Sequence, residues 1–274
     1  MSAPTPRFER YTHGHHAAIV ASHAQRTAEN SAGFLLPYLE RGQRLLDVGC
    51  GPGSITVDLA ELVAPGPVIG VDREPAVLEG ARHLAEERGL SNLTFEPADV
   101  YGLPYPDDHV DVVYAHQVLQ HLVDPVAALA EMRRVLRPGG VLAVRDSDYA
   151  TMTHAPHEPR LDRWLELYHQ VARSNGAEAD AGRHLKAWVL AAGFREPSAT
   201  ASAWWYADEA GCAAWAELWA VRITEGAFAE QAREGGLSTT EELADLAAAW
   251  RAWAHQPGAF FAFLHGEVLA RKPL

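Results

Sequence analysis

Leu45-Leu46-Asp47-Val48-Gly49-Cys50-Gly51-Pro52-Gly53 reads as a short apolar strand running into a turn of small residues. The apolar periodicity of residues 55–63 then predicts a helix. A strand, a glycine-rich turn and a helix in this order bring the turn to the carboxyl end of a sheet, where ligands bind in open α/β folds. Glycines at 49, 51 and 53 remove side chains, so a bulky ligand can lie against the backbone, and they permit the positive-φ conformations such a turn needs. Taken alone, the same loop also fits an ordinary tight strand-to-helix turn.

Outward from this stretch, apolar strand-like runs at residues 44–48, 67–71, 93–96, 110–115 and 141–145 alternate with helical patterns at 55–63, 75–88 and 125–136. That alternation predicts βαβ units on a parallel sheet whose strands are covered on both faces. Pro75 sits at the first turn of its helix and Gly89 ends it, while Pro138-Gly139-Gly140 closes the helix before the fifth strand. After Asp146 the alternation stops. Residues 161–174 and 182–192 read as helices, 198–206 as a strand, 208–233 and 240–255 as Ala- and Trp-rich helices, and 259–269 as a final strand. Both late strands are expected to join the same sheet, with helices inserted between them, and Gly235-Gly236 is the expected hinge or loop. Residues 14–38 read as one or two helices in front of the first strand.

An apolar fraction of 48% and a charged fraction of 22% describe an ordinary globular chain. No run of 18 apolar residues is present and the opening is polar, so neither a membrane span nor a secretory signal is expected, and the cytoplasm is the expected location. Cys50 and Cys212 form no disulfide framework. Lys and Arg number 23 against 36 Asp and Glu, and the net charge of −13 repels polyanions, so nucleic acid is not an expected partner. His13, His15 and His16 crowd the N-terminus, but no acidic or Cys partner accompanies them and no metal site is expected.

The second strand ends in Val71-Asp72, where an acid can accept hydrogen bonds from both hydroxyls of a ribose. A nicotinamide-dependent reductase would use such an acid too, but the glycines here are spaced GxGxG rather than GxGxxG. Asp47, just before the loop, suits a cationic sulfonium amino acid better than a pyrophosphate. Asp99 follows the third strand, where it can accept from an adenine amine while the Val100 N–H serves a ring nitrogen.

Residues 47–53, Val71-Asp72, Ala98-Asp99, Leu103-Pro104, Asp111-Val112-Val113 and the stretch Arg134 to Gly140 together resemble the successive motifs of class I S-adenosylmethionine-dependent methyltransferases. The ubiquinone/menaquinone C-methyltransferase-like group of small-molecule enzymes is the nearest in style. The resemblance implies a Rossmann-like, doubly wound α/β sheet of seven strands, mostly parallel with the last antiparallel. It implies a helical N-terminal lid over residues 1–40, a core over 41–206, a helical insertion acting as a substrate cap over 207–256, and the last core strand in 257–274. It further implies S-adenosylmethionine as donor and S-adenosylhomocysteine as product. Asp47, Gly49 and Gly51 would line the methionine end, Asp72 would hold the ribose, Asp99 and Val100 the adenine, and Arg73 would also contact the cofactor. His116 and Gln117 would lie under the cofactor, and Tyr11, His15 or His16 would reach it from the lid. Ala115-His116-Gln117 departs from the Asn/Asp-Pro-Pro-Tyr motif of enzymes that methylate nucleobase or glutamine nitrogens, which argues against those acceptors.

Methyl transfer from a sulfonium is an in-line displacement, so the protein aligns the acceptor and, where needed, removes a proton. His121, beyond the fourth strand, is the first candidate base because histidine titrates near neutral pH. Asp146, Asp148 and Tyr149 follow the fifth strand at the same rim and are candidates to orient His121 or bind substrate. Eight tryptophans, all from Trp164 onward, favour an aromatic or heteroaromatic small-molecule acceptor of indole, phenol or quinone type, although aromatic residues at helical spacing commonly form core. A peptide, protein or tRNA acceptor, a non-catalytic cofactor-binding subunit and a homodimer are left open.

Overall fold

A computed structural model describes Thr12 and residues 26–274. Tyr11, His13, His15 and His16, and most of the expected lid, lie outside the described residues. The first described elements are a short helix α1 (Ala28–Ala32) and a 3-10 turn (Leu36–Tyr38). Thr27 caps α1 through a reciprocal capping box with Asn30.

The expected alternation then appears: β1 (Leu45–Val48), α2 (Ser54–Val63), β2 (Val68–Asp72), α3 (Pro75–Glu87), β3 (Leu93–Pro97), β4 (Val110–His116) and α4 (Pro125–Val135). Each helix start has a local cause. Pro75 and Pro125 occupy the first helical turn, and the side chains of Glu74 and Asp124 accept from the backbone N–H of Ala76 and Ala127. Every residue of β1 is buried, as a central strand covered on both faces requires.

β5 (Leu136–Ala155) departs most from expectation. The pattern ends this strand at residue 145, because the apolar run stops at Asp146. The polar side chains of Asp146, Ser147 and Asp148 are buried, and the strand continues past them against β7 (Phe260–Arg271) to the pairing of Ala155 with Phe260. At its start, Leu136 pairs with Val110 and Val141 with Val112, so Pro138 to Gly140 form an irregularity inside the strand instead of a gap before it.

The chain continues through α5 (Pro159–Ser174), α6 (Ala181–Ala191), β6 (Arg195–Tyr206), α7 (Glu209–Glu225), α8 (Ala227–Glu234) and α9 (Thr240–Ala254) before β7. The single helix expected over 208–233 is broken at Gly226, whose extended backbone ends α7 and starts α8. Gly235-Gly236 forms a tight closing turn, with the Gly236 N–H donating to Arg233 O.

Among the described residues the sheet has seven strands in the order β3-β2-β1-β4-β5-β7-β6. β1 to β5 run parallel, and β7 is antiparallel to both of its neighbours. One apolar core, including Val57, Leu59 and Leu78, packs α1, α2 and α3 on one face, and another, including Leu129, Met132, Leu185 and Val189, packs α4 and α6 on the other. A third core, with Trp164, Trp219, Trp250 and Trp253 at its centre, joins α5 to α7, α8 and α9. α5 thus shares its apolar face with the inserted helices, although the sequence places it in the 41–206 segment.

Candidate active site

The strand order reverses direction at β1, which has β2 on one side and β4 on the other. A cleft of about 240 Å³ opens at the carboxyl ends of these strands, as expected at a topological switch point. Its walls include the sequence-predicted residues Asp47, Gly49, Gly51, Asp72, Arg73, Asp99, Val100, His116, Gln117 and His121.

The three loop glycines all have positive φ, but they are required for two different reasons. A Cβ on Gly49 would collide with Val118, and one on Gly53 would lie 2.8 Å from Phe95 Cζ and 2.9 Å from Ala81 Cβ. These two glycines let protein pack against protein. A Cβ on Gly51 would meet nothing within 4 Å, so this is the glycine that leaves space in the cleft.

The loop's N–H groups are taken up by the protein itself. Gly49 N and Cys50 N both donate to Val71 O, at 2.7 and 3.0 Å, and Gly53 N donates to Cys50 O at 3.0 Å. Gly51 N donates to Asp72 Oδ2 at 2.9 Å. A pyrophosphate needs such groups free and aimed at it. With these four committed internally, the loop is not a phosphate cradle, which agrees with the reading drawn from its glycine spacing.

Carboxylates dominate the donor end instead. Asp47 is buried and accepts the Thr56 hydroxyl at 2.6 Å. Burial chiefly, with a contribution from the nearby Asp72 charge and opposed by the Thr56 bond, raises its pKa to about 7. Asp72 Oδ1 accepts from Glu74 N at 3.0 Å, so each carboxyl oxygen is oriented by one backbone bond and keeps further acceptor capacity toward the cleft. Asp99 accepts from Tyr101 N at 3.0 Å and is exposed at the adenine-facing wall that the sequence predicts. A site with a buried acid that has no cationic partner among the described residues, a second acid beside it and an apolar wall at Val77 and Val100 fits a ligand with a cationic amino-acid end and a nucleoside end.

At the other end of the cleft, Arg26 Nη2 donates to Gln117 Oε1 at 2.6 Å, and Gln117 Nε2 lies 2.9 Å from His265 Nε2. Gln117 is held at φ +54° where β4 ends, with its N–H on Arg145 O. His116 is buried, lines the cleft and is ringed by Tyr114, Trp204 and His265.

His121 lies on a 3-10 turn (Leu119–His121) and lines the cleft, but not as a group that titrates near neutrality. Burial, then the charges of Arg26 and Arg222, pull its pKa down to about 3. Its Nε2 is 2.9 Å from the Gln120 amide nitrogen, a donor, which assigns the lone pair to Nε2. His121 is therefore a neutral hydrogen-bonding wall, too weak a base to draw a proton from a hydroxyl.

The three rim residues are corrected further. Asp146 is fully enclosed and accepts from the backbone N–H of Gln120 at 3.1 Å and of Leu119, so it braces the turn that carries His121 without reaching the cleft. Asp148 is held by Arg183 in a bidentate ion pair at 2.6 and 2.7 Å. Tyr149 stacks on Tyr168 with ring centroids 4.1 Å apart, inside the third core. None of the three lines the cleft, because β5 turns their side chains into protein. Four of the eight tryptophans form core: Trp164 packs edge to face on Trp219 and Trp250, and Trp250 on Trp253, whereas Trp205 is exposed, and no Trp lines the cleft. Their number is no argument for an aromatic acceptor.

Arg26, Thr56 and His265 escaped the sequence reading. Thr56 carried a signal, a hydroxyl in the first turn of the helix that follows Asp47. Arg26 and His265 carried none, since they meet Gln117 across 91 and 148 residues of chain.

The family described as "Methyltransferase domain" matches residues 39–193. A protein of Schizosaccharomyces pombe described as an uncharacterized methyltransferase is 33% identical over 283 residues, covering 99% of each chain. The ubiquinone/menaquinone biosynthesis C-methyltransferase of Bdellovibrio bacteriovorus is 41% identical over 103 residues, 38% of this chain and 43% of that one. Among solved structures, a phosphoethanolamine N-methyltransferase of Haemonchus contortus, in complex with phosphomonomethylethanolamine and S-adenosylhomocysteine, superposes with a TM-score of 0.58. It is 16% identical, with 94% of this chain and 57% of that one covered. Among the described residues no helix is long and apolar enough to cross a membrane.

Proposed function

The chain belongs to the class I S-adenosylmethionine-dependent methyltransferases, and on that premise we propose that it transfers the methyl group of S-adenosylmethionine to a small-molecule acceptor. The observation that carries this reading is the pairing of a glycine loop whose N–H groups are committed internally with a buried acid, Asp47, that has no ion-pair partner among the described residues and whose pKa stands at about 7. That combination rejects a pyrophosphate and favours a sulfonium amino acid.

When bound, S-adenosylmethionine supplies an electrophilic methyl group on sulfur. Asp47 and Gly51 hold the methionine end, Asp72 the ribose hydroxyls, and Asp99 with the Val100 N–H the adenine edge. His116, Gln117 and His121 form the floor and wall on the acceptor side, where Arg26 fixes Gln117 and the Gln120–Asp146 contact fixes His121. Alignment of the acceptor and exclusion of water, with no strong protein base, is the contribution assigned to these side chains. A small acceptor is supported by the size of the cleft and by the quinone methyltransferase likeness. A tRNA acceptor is disfavoured by the net charge of −13.

The test is calorimetric titration with S-adenosylhomocysteine and with NADH, followed by an assay of S-adenosylhomocysteine release across a metabolite library. Micromolar binding of S-adenosylhomocysteine, silence toward NADH and acceptor-dependent release are expected. NADH binding in place of S-adenosylhomocysteine would overturn the reading.

A further inference from the structure

At the far end of β5 the chain reads His154-Ala155-Pro156-His157, and Asp162 follows in the first turn of α5. The two imidazole rings lie 15° from parallel, with their centroids 5.8 Å apart. The Asp162 carboxylate stands beside both: Oδ1 is 3.9 Å from His154 Nε2, and Oδ2 is 3.6 Å from His157 Nδ1. One nitrogen from each ring and one carboxylate oxygen all lie within 4.8 Å of one another. Neither His–Asp distance is a hydrogen bond, since such bonds close at about 3.2 Å or less. Both are near the span of roughly 3.3 Å that separates two ligands across a tetrahedral zinc ion with bonds of 2.0–2.1 Å.

The surroundings hold this group in place. His154 pairs with Phe261 in the sheet, and its ring meets that of Trp253 edge to face at 6.4 Å. Trp253 Nε1 donates to Pro156 O at 3.2 Å, which fixes the link between the two histidines. The His154 side chain is 10% exposed, against 71% for His157 and 52% for Asp162, so one rigid ligand is joined by two that are free to adjust. The arginines nearest Asp162 in sequence are engaged elsewhere, Arg160 with Glu158 and Asp245, and Arg163 with Glu242. His154 Nε2 accepts the Glu158 N–H at 3.1 Å, which assigns a lone pair to that nitrogen. A cation takes over this lone pair in exchange for that one hydrogen bond.

We propose that His154, His157 and Asp162 bind a divalent transition-metal ion of the zinc type. Two imidazole nitrogens and one carboxylate oxygen suit zinc or cobalt, whereas magnesium and calcium take oxygen ligands. Three protein ligands leave a coordination position for water. None of the three residues lines the cleft, so the ion has no part in methyl transfer. Its place is structural: it ties the end of β5 to the first turn of α5, the helix that begins the tryptophan-centred core.

The test is calorimetric titration of the full chain, without an affinity tag and stripped with EDTA, with zinc chloride and with magnesium chloride. Zinc is expected to bind with micromolar affinity and to raise the melting temperature, because an ion held by the folded state alone stabilises it. Magnesium is expected to do neither. His157→Ala and Asp162→Asn, both at exposed positions, should each weaken zinc binding about tenfold or more and remove most of the rise in melting temperature, with S-adenosylhomocysteine affinity unchanged. Cobalt(II) chloride should give visible absorption bands with the wild-type chain that both variants lose. Absence of zinc binding at micromolar concentrations overturns the proposal. Zinc binding and cobalt bands that survive both substitutions overturn it too, since the ion is then held by other histidines of the chain.

Discussion

Asp72 holds Gly51: its Oδ2 accepts the Gly51 N–H at 2.9 Å, so the acid that ends β2 fixes the glycine that ends the β1 loop. The same carboxylate takes the Glu74 N–H on Oδ1, which anchors it between the loop and the start of α3. Asp72→Asn leaves one oxygen to serve both backbone donors and the ribose. We expect S-adenosylhomocysteine affinity to fall at least 30-fold, about 2 kcal/mol, with a smaller loss of thermal stability. Calorimetry and melting curves on the same preparation check both.

Gly51 and Gly53 should respond oppositely to alanine. Gly53→Ala drives a methyl group into Phe95 and Ala81 at positive φ, and we expect it to cost about 2–4 kcal/mol of stability. Gly51→Ala carries only the backbone strain of about 1 kcal/mol, because its Cβ points into open space. It should weaken S-adenosylhomocysteine binding more than it lowers the melting temperature. Equal loss of binding and stability in both variants would contradict the division of roles.

Asp47 predicts a pH dependence in two directions. Its pKa is raised from 3.8 to about 7 in the folded protein, so its contribution to stability is fully present below pH 3.8 and lost as pH rises through 7. Stability of the unliganded protein should fall from pH 5 to pH 8, and Asp47→Asn should remove part of that slope. Asp146, raised to about 7 by burial, supplies another part. Donor binding should run the other way and tighten from pH 6 to pH 8, by at most about tenfold per unit, as the Asp47 carboxylate ionises. Asp47→Asn should flatten that profile as well, which titrations of S-adenosylmethionine across this range will show.

His121 should not titrate in the physiological range. With its pKa at about 3, its ring signals in an NMR titration should stay constant from pH 5 to 8. A pH–rate profile should keep its shape in His121→Asn, even where the rate drops through loss of the wall. A midpoint near 6.5 assigned to His121 would restore it as a general base.

Trp219 should matter for folding above all. It is fully buried and packs against Trp164, Trp215 and Tyr149, so Trp219→Ala is expected to cost about 3–5 kcal/mol in denaturant unfolding.

The parallel half of this protein was legible in residues 44–145 because its determinants are local. Short apolar runs bounded by Pro75, Gly89, Pro125 and the glycine loop specify strands and helices within a few residues of themselves. The acids at 47, 72 and 99 sit at strand ends, where fold geometry alone brings them to one rim. The acceptor side depended on contacts between distant parts of the chain. Asp146, Ser147 and Asp148 end the apolar run of the fifth strand, yet they are buried in it, held by the Gln120 backbone and side chain and by Arg183. The tryptophans pointed to a pocket by composition, yet filled one another's space once α5, α7 and α9 packed together. Gln117 joins Arg26 and His265 across 91 and 148 residues of chain. No periodicity encodes such a meeting. Identity of the donor site follows from short-range pattern, whereas the lining of the acceptor side, with Arg26, Gln117 and His265 in contact, is a property of side chains that come together only when the whole sheet is assembled.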